Sequence, residues 1–186
     1  MHDVQDKAWW VKYGAEKEKY FVDSILPKYN IDKTIIINPA KERNSTAADL
    51  ICDTDKILGD LKICETPFFT AGKYGMDPNG CVTFDEKDYI RYMFDYQILP
   101  AITYTKKPQT FFIMFYVSWP EQDDYGVSIK AREGLWAITI RGINNMVLDN
   151  DKIKWHRYKN RVENKDGNGR ASMIIPLSEM KEYSLR

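Results

Sequence analysis

The stretch Ala48-Asp-Leu-Ile-Cys-Asp-Thr-Asp-Lys-Ile-Leu-Gly-Asp-Leu-Lys-Ile-Cys64 holds two apolar runs separated by Asp53-Thr-Asp-Lys56. Two such runs around a short polar turn predict a β-hairpin, with Asp53 and Asp55 as turn formers. Side chains alternate between the faces of a strand. In the second run Ile57, Leu61 and Ile63 therefore share one face, and Asp60 and Lys62 share the other. Burying either charge alone would be costly. An ordinary ion pair at a sheet edge would account for Asp60 and Lys62 by themselves. Asp49 adds to the picture, because it begins the partner strand and the hairpin can bring it near Asp60. Two carboxylates converging at one end of a sheet make a hard-oxygen site suited to Mg²⁺. A lysine beside them can position a water and offset developing negative charge.

Upstream, residues Asp6 to Leu26 read as a helix, with Phe21, Val22, Ile25 and Leu26 at helical spacing and Pro27 limiting it. Glu18 falls on the face of Phe21, Val22 and Ile25, whereas Glu16 points elsewhere. Thr34 to Ile37 is a β-branched run ended by Asn38-Pro39, expected as a short edge strand, and Lys41 to Thr46 reads as a loop. Downstream, Glu65 to Gly80 reads as irregular, and Asp85 is placed to cap a helix over Glu86 to Gln97 with Tyr89, Ile90, Met93 and Phe94 inward. Thr110 to Trp119 is apolar on both faces and predicts a central strand. An acidic loop at Glu121 to Tyr125, strands at Gly134 to Ile140 and Ser172 to Ile175, and a short terminal helix from Pro176 complete the order. That order suits an α/β domain with a mixed sheet flanked by helices.

Composition narrows the function classes. Of 186 residues, 44% are hydrophobic and 13% aromatic, enough for a well-filled core, so disorder is not expected over most of the length. No apolar run approaches the roughly 18 residues a membrane helix needs, and the N-terminal residues Asp3, Asp6 and Lys7 do not resemble a secretory signal. The odd set Cys52, Cys64 and Cys81 suggests free thiols in a reducing compartment, which leads us to expect a cytoplasmic protein. With no CxxC pair or Cys/His cluster, a structural zinc site is not expected. The net formal charge of zero argues against a nucleic-acid coat but leaves room for a catalyst whose acidic metal ligands cancel part of a basic footprint.

Taken together, Asp49 and Asp60-Leu61-Lys62 resemble the PD-(D/E)XK nuclease superfamily, which includes many restriction endonucleases and junction resolvases. Ala48 stands where the pattern often has proline. The family also places a glutamate in a helix before the hairpin, and Glu18 matches that position. The resemblance covers residues 14–62 directly; the helix and strand over 85–119 fit the family's next unit only in order and length. It implies a restriction-endonuclease-like fold, a single nuclease domain over 1–186, and a Mg²⁺ (or Mn²⁺) held by Asp49, Asp60, the Leu61 main-chain carbonyl and Glu18. Lys62 would act on the attacking water. The implied activity is metal-dependent DNA endonuclease, with a restriction-type defence enzyme favoured over a junction resolvase and residues 120–186 as an elaboration for DNA binding or dimerisation. A homodimer would suit cleavage of both strands.

The segment Lys152 to Arg170 bears on the substrate. Lys154, His156, Arg157, Lys159 and Arg161 are mixed with Trp155 and Tyr158, a combination suited to phosphate contacts and base stacking. A solvated hairpin with ordinary surface charge is the alternative. A different class also stays open: a catalytically inactive nucleic-acid-binding or inhibitor protein that retains the nuclease fold, which net neutrality and the acidic Glu121, Asp123 and Asp124 would suit.

Overall fold

A computed structural model describes residues 7–44, 46–96, 110–149, 152–158 and 171–186. The first helix, α1 (Lys7–Tyr20), runs into a π-helical turn at Phe21–Ile25 and a tighter turn at Leu26–Lys28 that contains Pro27. Proline lacks the N–H needed to continue a helix, which explains the stop. Strand β1 (Ile35–Ile37) is the edge piece expected, and β2 (Leu50–Cys52) and β3 (Ile57–Cys64) form the expected hairpin. Its register pairs Leu50 with Gly59 and Cys52 with Ile57. Strand β5 (Phe111–Trp119) lies parallel to β3 and antiparallel to β8 (Arg132–Thr139). With β11 (Lys181–Tyr183) they make a mixed six-stranded sheet in the order β1-β2-β3-β5-β8-β11. Strands β4 (Cys81–Asp85), β9 (Lys154–Arg157) and β10 (Ala171–Pro176) form a second, antiparallel sheet in the order β4-β10-β9.

Alternation along β5 divides the core in two. Phe111, Ile113, Phe115, Val117 and Trp119 pack with α2 (Glu86–Asp95), α3 (Ile140–Leu148) and the inner face of the second sheet. Met114 and Tyr116 pack on the other face with Phe21, Ile25, Leu50 and Leu61. The main sheet is thus covered on both sides, as its doubly apolar central strand requires. The protein is of mixed α/β class, with a mixed sheet flanked by helices.

Several expectations need correction. The helix stripe on α2 is Tyr92 and Met93 with Tyr89 half-buried, while Ile90 is 46% and Phe94 66% exposed. The helix is rotated so that Asp88 and Tyr92 face β3. Asp85 has extended dihedrals at the helix start but does not cap it, because its carboxylate accepts from the buried Ser172 hydroxyl at 2.7 Å. The strand expected to end at Ile140 gives way there to α3, whose Thr139 hydroxyl accepts from the Gly142 amide. The acidic loop forms a small hairpin, β6 (Gln122–Asp124) with β7 (Val127–Ile129), turning through Tyr125 and Gly126 at φ values of 51 and 72°. The expected terminal helix is one turn, Leu177–Glu179, followed by β11.

Gly59 fixes how closely β3 approaches β5. It lies opposite Phe112, and a Cβ added there would run into the Phe112 ring. Gly59→Ala should therefore destabilise the protein by about 1–3 kcal/mol, the usual cost of overpacking. Adding Phe112→Leu should return part of it. Urea denaturation of the two variants and their combination checks this.

Candidate active site

The β2–β3 register places Asp49, the residue before β2, beside Asp60 on β3. Beyond the end of β2 the Leu61 amide has no backbone partner from that strand, and the Asp49 Oδ2 accepts from it at 3.1 Å. In a β-strand a residue's N–H and C=O point to the same side. The Leu61 carbonyl therefore also faces the side where Asp49 stands. Asp49 and Asp60 stand opposite one another across the hairpin, close enough for each carboxyl to shift the titration of the other.

Asp60 is 4% exposed, and its Oδ2 is buried without a hydrogen bond. The Lys62 ammonium lies 2.9 Å from that oxygen but out of line for a hydrogen bond, so the contact is one of charge. Lys62 donates instead to Asp88 Oδ2 at 2.7 Å, and Asp88 also meets Arg91 at 3.4 Å. The Arg91 guanidinium stacks on the Tyr92 ring and donates to its hydroxyl. Asp88, Arg91 and Tyr92 were not singled out from the sequence. The one available signal was the helical spacing of Asp88 and Tyr92, four residues apart.

Glu18 also reaches this end of the sheet, from the opposite face. It does so through Lys41, which donates to Glu18 Oε2 at 2.5 Å and to Asp49 Oδ1. Glu16 instead points to solvent beside Lys12. The helical phase read from Phe21, Val22 and Ile25 thus describes where the two glutamates go. Lys41 sits in the turn Pro39–Glu42, in sequence read only as a polar loop.

Burial, opposed by the charge of Lys62 and reinforced by Asp49, lifts the Asp60 carboxyl from its ordinary 3.8 to about 7. Burial also works to raise Asp49, but hydrogen bonds from Asp60, Lys41 and the Leu61 amide outweigh it and hold Asp49 below its ordinary value. Asp60 therefore holds its proton to a higher pH than Asp49, as expected where two like charges lie close together. Burial raises Glu18 against the pull of Lys41. Burial disfavours the Lys62 ammonium, yet Asp60 and Asp88 hold its pKa above that of an ordinary lysine.

Two separate clefts flank this strand end, one touching Asp49 and the other Leu61. One, of about 480 Å³, is lined by Gly14, Glu18, Lys41 and Asp49. The other, of about 450 Å³, is lined by Leu61, Lys62, Glu65 and Phe68. A larger cleft of about 780 Å³ near Arg132 and Trp136 holds none of these carboxylates except as distant neighbours in the fold. Among the described residues, no three His, Cys, Asp or Glu side chains converge closely enough to hold a metal ion alone. The oxygens gathered at this strand end are those of Asp49, of Asp60, which faces Lys62, and of the Leu61 carbonyl. Glu18 stands behind the Lys41 ammonium.

The basic segment is split by its strand. On β9, Trp155 and Arg157 share the exposed face, and Lys154 and His156 are half-buried on the other. His156 is enclosed by the rings of Phe68, Tyr74 and Tyr158, and its Nδ1 contacts the Tyr74 hydroxyl at 2.7 Å. Burial lowers its pKa, which disfavours the charged imidazolium. Lys159 and Arg161 lie outside the described residues.

No family model and no curated protein matches this chain. Among solved structures it is similar to a nuclease from a fusselovirus, at 15% identity and a TM-score of 0.41, over 98% of this chain and 90% of that one. No helix among the described residues is long and apolar enough to cross a membrane.

The Asp60 shift has a sign that can be measured. A carboxyl raised in the fold contributes stability that is complete below about pH 4 and is lost as pH rises through about 7. In metal-free protein Asp60→Asn should remove this loss and raise stability at pH 8 by on the order of 1–4 kcal/mol, with little gain at pH 4. Thermal or urea unfolding at the two pH values in EDTA measures it; a variant less stable than wild type at pH 8 would show that the charged form is the favoured one.

Proposed function

We propose that the chain is a Mg²⁺-dependent nuclease that hydrolyses phosphodiester bonds in DNA. The observation that carries this reading is the close pair Asp49–Asp60 at a strand end, with Asp60 Oδ2 buried and held only by the charge of Lys62. A divalent cation held here would offset the negative charge of the two carboxylates in place of a proton. Asp49, Asp60 and the Leu61 carbonyl would hold it, with Glu18 in reserve behind Lys41. Once bound, it would polarise the scissile phosphate and stabilise charge on the oxygens of the displacement. Lys62, kept protonated between Asp60 and Asp88, would orient the attacking water and offset developing negative charge. The cleft lined by Glu18, Lys41 and Asp49 and the separate one lined by Leu61 and Lys62 are the openings through which a sugar–phosphate backbone would approach.

The finer points of this reading follow the resemblance to PD-(D/E)XK enzymes: endonucleolytic cutting, a restriction-type role, and a homodimer for double-strand cleavage. Residues 120–186 would serve DNA binding or dimerisation, although β8 and β11 are also integral to the main sheet. One observation favours the alternative of an inactive binding or inhibitor protein: the ammonium groups of Lys41 and Lys62 already neutralise the carboxylates.

Incubation of the full chain with plasmid DNA decides between them. Cleavage is expected with Mg²⁺ or Mn²⁺ and not with EDTA. Asp60→Asn and Lys62→Ala should each lower the rate by about a hundredfold or more while the fold persists. DNA binding without cutting under either metal would instead support the inactive reading. For the substrate surface, neutralising Lys154 and Arg157 together should weaken duplex binding across sequences and reduce the logarithmic salt slope by about 0.9 per lost phosphate contact. Trp155→Ala should matter more on single-stranded than on duplex DNA. Unchanged binding at every salt concentration would leave β9 as an ordinary solvated strand.

A further inference from the structure

We propose that Lys41 is a built-in competitor for the cation site: its ammonium holds Asp49 and Glu18 in the metal-free protein and is displaced when a divalent cation binds. The inference rests on the cation-site reading above. Lys41 is not part of the Asp49/Asp60/Lys62 pattern, yet it alone bridges Glu18 and Asp49. Its side chain is 18% exposed, and its charge touches Asp49 Oδ1, while Asp49 Oδ2 is taken by the Leu61 amide. A cation joining Asp49 to Asp60 must therefore contend with the ammonium for the remaining oxygen of Asp49. Beside it, Asp60 Oδ2 is buried and takes no hydrogen bond, meeting only the charge of Lys62 at 2.9 Å, so it keeps lone pairs for a cation.

The local structure anchors the turn and leaves the side chain able to leave. Buried Asn38 donates through Nδ2 to the Ala48 carbonyl and accepts at Oδ1 from the Ala40 amide. Its backbone amide donates to the Asp49 carbonyl at 2.9 Å. The Lys41 backbone is thus fixed to the segment that carries Asp49. The four-carbon stem is flexible, and the cleft of about 480 Å³ that Lys41 lines gives the ammonium an exit.

A residue that only supports the fold, and one that competes with the cation, respond differently to substitution. Loss of a merely supporting lysine weakens both stability and cation binding. Loss of a competitor lowers the stability of the metal-free protein, because two carboxylates lose their partner, yet tightens cation binding. The apparent affinity of a site is reduced by the fraction of molecules in which it is open. If the ammonium closes it in about nine molecules of ten, Lys41→Met should tighten binding roughly tenfold.

The test is titration calorimetry of the full chain with Mn²⁺, for wild type, Lys41→Met, Lys41→Arg and Asp60→Asn, with thermal unfolding of each in EDTA. Lys41→Met should bind Mn²⁺ about tenfold more tightly and melt lower in EDTA; Lys41→Arg, which keeps the charge, should stay near wild type. On the wild type itself, mass spectrometry should show that Mn²⁺ increases acetylation of Lys41 by acetic anhydride. Should Lys41→Met bind no tighter while Asp60→Asn weakens binding, the competitor role is overturned and the cation site stands. Protection of Lys41 by Mn²⁺ would overturn it equally. Absence of Mn²⁺ binding in all four proteins overturns the cation site and the competitor together.

Discussion

The Asp60 carboxylate is the constraint around which this end of the molecule is arranged. It sits in β3 with almost no exposure, and an unpaired charge there would cost several kcal/mol. Lys62 supplies the opposing charge from the same strand face, Asp49 favours the protonated form of Asp60, and Asp88 on α2 holds the Lys62 ammonium in place. Bringing Asp88 and Tyr92 inward rotates α2 and turns Ile90 and Phe94 to solvent. The helix thus gives up apolar burial to serve a polar cluster, a pattern expected where function rather than packing sets the arrangement. The parallel pairing of β3 with the largely buried β5 forms the platform, and Gly59 sets its spacing.

The chemistry of the cluster is a balance of four carboxylates, Glu18, Asp49, Asp60 and Asp88, against the ammonium groups of Lys41 and Lys62 and the guanidinium of Arg91. Such a network is either satisfied or costly, because a low-dielectric setting strengthens both pairing and its absence. Asp60 Oδ2 takes no hydrogen bond and is held by the charge of Lys62. The lysines have different anchors. Lys62 is pinned between Asp60 and Asp88, with the Phe84 ring beneath it, whereas Lys41 hangs from a turn beside an open cleft. That difference in surroundings suits Lys62 to stay in place and Lys41 to leave.

Much of this was legible from local sequence. The hairpin followed from two apolar runs around Asp53 to Lys56. Period-two alternation put Asp60 and Lys62 on one face, and helical phase separated Glu18 from Glu16. Interactions that join distant segments were not legible. Nothing in the spacing ties Lys41 to Glu18, 23 positions earlier, or Asp88 to Lys62, 26 positions earlier. The α2 stripe was misread because Ile90 and Phe94 are more apolar than the tyrosines that replace them inside. Helix α3 escaped notice because Gly142, Asn144 and Asn145 are weak helix formers, while Ile140, Ile143 and Met146 gain their helical order by packing on β5 and β8. Strand β11 escaped because Lys181 and Glu182 give an edge strand no apolar alternation.

The most direct measurement is a crystal of the full chain soaked with Mn²⁺ and recorded at a wavelength where manganese scatters anomalously. The account predicts an anomalous peak between the carboxylates of Asp49 and Asp60, on the side of the Leu61 carbonyl, with Lys41 drawn away from Asp49. A map with no peak there, and with Lys41 still bridging Glu18 and Asp49 at saturating Mn²⁺, would contradict it.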